Sequence, residues 1–124
     1  MLKYLMVLML AVFSACSKNE AEEGAMYGAT WKISYFYDGV EKTSDYAALY
    51  FMFNEDGTLM AHEGPRLTIG RWSERNSRFI ILFDTNPLLL KLQGEWSIIE
   101  KTSSVIKLKD EVAAPNKELH LIRQ

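Results

Sequence analysis

The 124-residue sequence predicts an all-β fold, a small antiparallel up-and-down barrel of about eight strands with one short helix before the sixth. Three observations predict it. From Thr30 onward, short apolar runs alternate with polar residues at period two, the spacing of strands with one face inward. Turn residues, among them Asp38-Gly39, Asp56-Gly57 and Gly64-Pro65, separate these runs. No strand-helix-strand alternation occurs, so consecutive strands are antiparallel neighbours. Left open, such a sheet would expose two apolar edges, and closing it on itself removes both.

Each element follows from its local pattern. Thr30 to Tyr37 is the first strand, where Trp31, Ile33 and Tyr35 alternate with Lys32 and Ser34 and so share the inward face. Asp38-Gly39 ends it, and the polar stretch through Ser44 and Asp45 suits a helical turn. Leu49 to Asn54 is the second strand, with Tyr50 and Met52 on one face and Phe51 and Phe53 on the other. Asp56-Gly57 tolerates the positive φ of a tight hairpin and returns Thr58 to His62 as the third. After Gly64-Pro65 comes Leu67 to Ser73, with Ile69 on one face and Gly70 and Trp72 at inward-capable positions. A strand glycine next to a large ring marks a close backbone approach or a bend.

Glu74 to Ser77 reverses the chain into Arg78 to Asp84, apolar on both faces as a strand covered on both sides would be. Asn86 as cap, Pro87 as first residue and Gly94 as terminator then frame a short helix over the Leu-rich run, for which a strand is the alternative. Glu95 to Lys101, Val105 to Asp110 and Glu118 to Arg123 complete the eight.

The chain ahead of these strands has a different character. MLKYLMVLMLAVFSAC carries one charge at Lys3, ten apolar residues from Tyr4 to Phe13 and then the small Ser14 and Ala15. That is a secretory signal in outline, too short for the roughly 20 residues a membrane-crossing helix needs. The only cysteine, Cys16, stands at the expected cleavage point. FSAC resembles a bacterial lipobox, with Phe13 where that family usually carries Leu. The resemblance implies acylation of Cys16 and cleavage between Ala15 and Cys16; the alternative is an ordinary cleaved signal with an incidental cysteine. SKNEAEEGA, polar and small, then reads as a solvated tether. It partly resembles the surface-export signal of Bacteroidetes lipoproteins, with Lys18 and Glu20 separated by Asn19. Ser17 in place of Asp implies an outer-membrane destination, with surface display the further option. The expected organisation is a signal over 1–15, an acylated cysteine and tether over 16–29 and the barrel over 30–124.

Within the barrel, WKISYFYDG at 31–39, KTSDY leading into YFMFNEDGTLMA, IGRW at 69–72, GEWSI at 94–98 and VIKLKD at 105–110 together resemble a lipocalin-like domain family of Bacteroidetes lipoproteins. The resemblance covers nearly all of the chain past the tether. It implies a lipocalin-like barrel and little about molecular role.

Composition excludes several functions. Fourteen basic against 16 acidic residues, a net charge of -2 and no Lys/Arg run build no field for nucleic acid. One cysteine permits no intramolecular disulfide and no multi-cysteine metal site, and no cofactor is called for. No Gly-x-Ser-x-Gly activates a nucleophile, and acylation would consume the Cys16 thiol, so an enzyme is not expected. His62 and His120 could cooperate only if the barrel joined their strands. Asp110 and Glu111, adjacent, would point to opposite faces. Asp38, Asp45, Glu55 and Asp56 lie near turns without the spacing of a cation loop.

The aromatic content is what invites a ligand. Trp31, Tyr35, Trp72, Phe83 and Trp96 could line the interior and hold a small hydrophobic molecule, or simply fill it. The expectation is a non-enzymatic outer-membrane lipoprotein, attached to the membrane through its lipid, that binds a small hydrophobic ligand or an envelope protein. Its rival is an interaction or inhibitor module with a packed barrel.

Overall fold

A computed structural model describes residues 26–112 and 116–124. The expected signal, Cys16 and most of the expected tether lie outside the described residues. Eight strands follow one another: β1 (Trp31–Asp38), β2 (Leu49–Phe53), β3 (Thr58–Glu63), β4 (Arg66–Arg75), β5 (Arg78–Leu82), β6 (Gly94–Lys101), β7 (Val105–Asp110) and β8 (Lys117–Arg123). Each pairs antiparallel with its sequence neighbours, and β1 pairs with β8, so the sheet closes as the period-two pattern predicts. A 3-10 turn, Thr43–Tyr46, lies between β1 and β2, and one short helix, α1 (Pro87–Leu90), precedes β6.

Turn chemistry accounts for the reversals. Asp56 Oδ1 accepts the Thr58 amide at 2.9 Å and Gly57 takes φ +92°, which tightens the β2–β3 hairpin. At the β4–β5 hairpin Asn76 and Ser77 both adopt positive φ, 52° and 63°, between the paired Arg75 and Arg78. Two consecutive residues at positive φ match the right-handed twist of the flanking strands. The Asn86 side chain accepts from Leu88 N at 3.1 Å and Pro87 opens α1, which excludes the strand alternative for this run. The helix ends at Leu90, and Gly94, expected to terminate it, instead opens β6.

Two expectations need correction. The alternation of β1 breaks between Ile33, opposite Leu121, and Tyr35, opposite His120. Ser34 is the extra residue of a β-bulge, and because side chains alternate with period two, one extra residue reverses every later one. Trp31 and Ile33 face inward as expected; Tyr35 turns outward and Phe36 takes its place, fully buried. In β5, Phe79 and Ile81 point inward with Phe83 beyond them, but Leu82 is half exposed. The strand is covered on one side only, since no second layer packs outside a single-walled barrel.

The β1–β2 seam is thin, with Trp31 opposite Phe51 as the aligned pair. Chain between the strands closes the rest. Lys42 N donates to Phe36 O at 2.8 Å, Phe36 N donates to Thr43 Oγ1 at 3.0 Å, and Tyr37 bridges to Glu41. The packed body also starts before Thr30: Met26 and Ala29 are buried in the core, and Trp31 Nε1 donates to Met26 O at 3.3 Å.

Gly70 confirms the close approach expected of it, with a different ring. A Cβ there would overlap the Leu82 carbonyl oxygen and come within 2.6 Å of the Phe83 ring. The missing side chain therefore lets β4 pass against the end of β5.

Candidate functional site

The barrel interior is where the sequence places a ligand, and four of the five proposed lining residues do point into it. Trp31, Trp96 and Phe83 are buried, and Trp72 is 9% exposed. Tyr35 lies on the outer wall, its ring centroid 5.0 Å from that of His120. It borders a surface cleft of about 260 Å³ with Tyr37, Lys109 and Lys117. The bulge at Ser34 is the cause, and no residue type in that strand announces it.

Inside, the rings pack on one another. Phe53 makes edge-on contacts with Trp31, Trp72 and Phe79 at centroid distances of 6.4, 5.6 and 5.6 Å, and Trp72 stacks on Phe79 at 5.5 Å. Such edge and offset geometries are the favoured ones for aromatic pairs. The three indole N–H groups all find main-chain acceptors: Trp31 on Met26 O, Trp72 on Asn54 O at 2.9 Å and Trp96 on Leu92 O at 2.9 Å. Among the described residues none that is buried is charged. The core therefore presents no free polar group by which a bound molecule could be oriented.

Between these side chains lies a cavity of about 10 Å³, lined by Phe51, Phe53, Leu59, Ile81, Phe83, Leu92 and others, all apolar. A single water needs roughly this volume together with two or more polar partners, and small-molecule sites measure roughly 300 Å³ or more. Of the five proposed residues only Phe83 borders the gap. The others it touches were legible as inward positions of their strands, but alternation does not say where packing falls short.

One end of the barrel is stopped by a residue that sequence reasoning overlooked. Tyr46, in the 3-10 turn, is fully buried; its ring meets Phe36 edge-on at 5.2 Å, and its hydroxyl donates to Leu88 O at 2.8 Å. Burial, reinforced by the Asp45 and Asp38 carboxylates, holds this phenol well above its ordinary value of 10.0. Leu89 and Leu92 complete the stopper. Tyr46 stands in a polar run with no periodicity, so no local signal marked it as core.

At the opposite end the β2–β3 and β4–β5 hairpins frame an open cleft of about 610 Å³, lined by Tyr27, Glu55, Asp56, Trp72, Glu74 and Lys101 among others. Tyr27 leans on Trp72 at 5.9 Å, and the Glu74 to Lys101 ion pair, 2.6 Å, crosses the mouth.

The remaining candidates do not assemble. His62 is on β3 and His120 on β8, strands that are not neighbours. His120 Nε2 lies 2.7 Å from Glu118 Oε2 on the outer wall. Among the described residues no three His, Cys, Asp or Glu side chains gather as a metal site. Ala15 and Cys16 lie outside the described residues. No protein-family model, curated protein or solved structure significantly matches the chain. What fold and site define together is a closed β-barrel with a filled interior.

Proposed function

We propose that this protein is a non-enzymatic lipoprotein of the outer membrane, tethered through acylated Cys16, whose barrel is a rigid interaction module rather than a carrier. The single observation that carries the choice between carrier and module is the cavity among the core rings, about 10 Å³ with wholly apolar walls. An apolar ligand of even a few carbons would have to displace core rings that are stacked and hydrogen-bonded. The closed eight-stranded barrel is consistent with a lipocalin-like fold, and the lipobox-like FSAC supports the anchor. The lipobox resemblance implies a diacylglyceryl group on the Cys16 sulfur and an acyl chain on the new amino terminus, and these three chains exceed the two membrane signals that stable anchoring takes. Under this reading the loops and outer wall contact a partner at the envelope, and the core holds them in place.

The test has two parts. Radiolabelled palmitate is incorporated by the wild type and not by Cys16→Ser, which is released or mislocalised; equal labelling of both would remove the anchor from the proposal. The purified wild type shows no saturable uptake of an apolar dye or a fatty acid. Stoichiometric uptake would restore the carrier.

A further inference from the structure

Half of the outer wall is built unlike the other half. Register assigns the outward positions of β2 to β5: Tyr50 lies opposite His62, which lies opposite Leu67; Met52 opposite Met60, opposite Ile69; Arg71 opposite Leu82; Ser73 opposite Ile80; Arg75 opposite Arg78. Thr58, opposite Arg71, completes these positions. None of these outward residues is acidic. The glutamates of the same strands, Glu63 and Glu74, sit in the inward register at the rims. Carboxylates meet this wall at its borders: Asp56 of the β2–β3 hairpin feels Arg71, and Glu95 of β6 lies opposite Ile80.

Exposure is high where the side chains are aliphatic: Ile69 61%, Leu82 47%, Leu67 45%, with Tyr50 at 41%. Around the other half the signs are mixed, with Lys107 paired to Glu100 at 3.7 Å and His120 to Glu118. That mixture is an ordinary solvated surface. A contiguous apolar patch flanked by arginines and lacking acids is not, and patches of this kind mark contact with a protein or a membrane.

We propose that the outer wall of β2 to β5 lies on the headgroup layer of an anionic bilayer, its aliphatic side chains entering the interface and Arg71, Arg75 and Arg78 meeting lipid phosphates. The inference rests on the anchored reading above and names the partner of that module. Charge complementarity selects an anionic surface. Chain length makes it reachable: Tyr27 packs on Trp72 at the open end of the barrel framed by the β2–β3 and β4–β5 hairpins, so the chain enters at the rim of this wall. Cys16 precedes Tyr27 by eleven residues, a span of at most about 40 Å.

The experiment uses the full lipidated chain in vesicles of phosphatidylcholine alone or with phosphatidylglycerol. A polarity-sensitive fluorophore is attached at Ile69→Cys, with Leu82→Cys as a second reporter and Lys107→Cys on the far wall as control. The probe at 69 shifts to the blue on phosphatidylglycerol vesicles, the control does not, and high salt reverses the shift. Arg75→Gln and Arg78→Gln each weaken this partition about fivefold. Probes at 69, 82 and 107 that stay equally exposed to water on both vesicles overturn the proposal. So does a concentration-dependent shift at 69 without vesicles, which would indicate a second copy or a protein partner. Chain that washes off neutral vesicles counts against the anchor alone, and its probe at 69 on phosphatidylglycerol still decides for or against the wall.

Discussion

The Tyr46 hydroxyl donates to the Leu88 carbonyl oxygen at 2.8 Å and so ties the 3-10 turn after β1 to the helix after β5, across 42 positions of sequence. Both pieces lie at the same end of the barrel. Their junction stops it, and the bond satisfies a phenol that would otherwise be a costly buried polar group.

Tyr46→Phe should therefore cost about 1 kcal/mol at neutral pH and change the alkaline limb of the stability curve. The folded state keeps the phenol protonated where the unfolded chain, near 10.0, releases it. Tyr46 thus contributes stability that is fully present below pH 10 and is lost as pH rises beyond it. Chemical denaturation at pH 8 and pH 11 checks this: the wild type should lose more stability between the two than the Phe variant does. Equal losses would mean that the phenol is open to water.

Side by side in β1, Tyr35 and Phe36 should respond in opposite measure. Phe36→Ala removes a fully buried ring and should cost about 3 to 5 kcal/mol, whereas Tyr35→Ala on the outer wall should cost less than about 1 kcal/mol. Urea midpoints of the two variants make the comparison. The reverse order would place the bulge elsewhere in the strand.

Gly70→Ala adds one methyl group and should be among the most damaging small substitutions in the barrel. Its Cβ would collide with the Leu82 carbonyl and the Phe83 ring, one of them main chain that cannot move without parting β4 from β5. Overpacking of this kind costs about 1 to 3 kcal/mol or more. Calorimetry should show a clearly lowered melting temperature, and Phe83→Leu in the same chain should recover part of the loss.

Trp72→Ala separates a filled interior from a pocket. Stacked on Phe79 and bonded to Asn54 O, the indole is packing material, and its loss should cost about 3 to 5 kcal/mol. The urea midpoint should fall accordingly, while the wild type takes up no apolar dye. A small loss combined with saturable dye binding by the wild type would show an interior that opens to ligands.

Much of the fold was legible because it is local. Period-two alternation in Leu49 to Asn54 reports which faces Phe51 and Phe53 occupy, since the pleat alternates with the same period. Asp56-Gly57 and Asn86-Pro87 report their turn and cap because the backbone conformations needed there suit few residues. Val105 to Asp110 was read with the bounds that the strand has.

The candidate site was legible only in part. Trp31, Trp72 and Trp96 could be placed inward by alternation; Phe83 stands in a run apolar on both faces, which alternation does not side, and Tyr35 was misplaced because one inserted residue inverts the pattern without leaving a compositional trace. Whether the rings line a space or fill it depends on distances between strands that are far apart in sequence, such as the one carrying Phe53 and the one carrying Phe79.

Strand count, order and turn positions thus came from the sequence by itself, each determined by residues within a few positions of one another. Tertiary structure alone decided the bulge at Ser34, the closure of one end by Tyr46, the filling of the interior and the gathering of uncharged and basic side chains on β2 to β5. Each of these depends on which side chains meet across the closed sheet, and that is settled by register and packing density rather than by the period of any single strand.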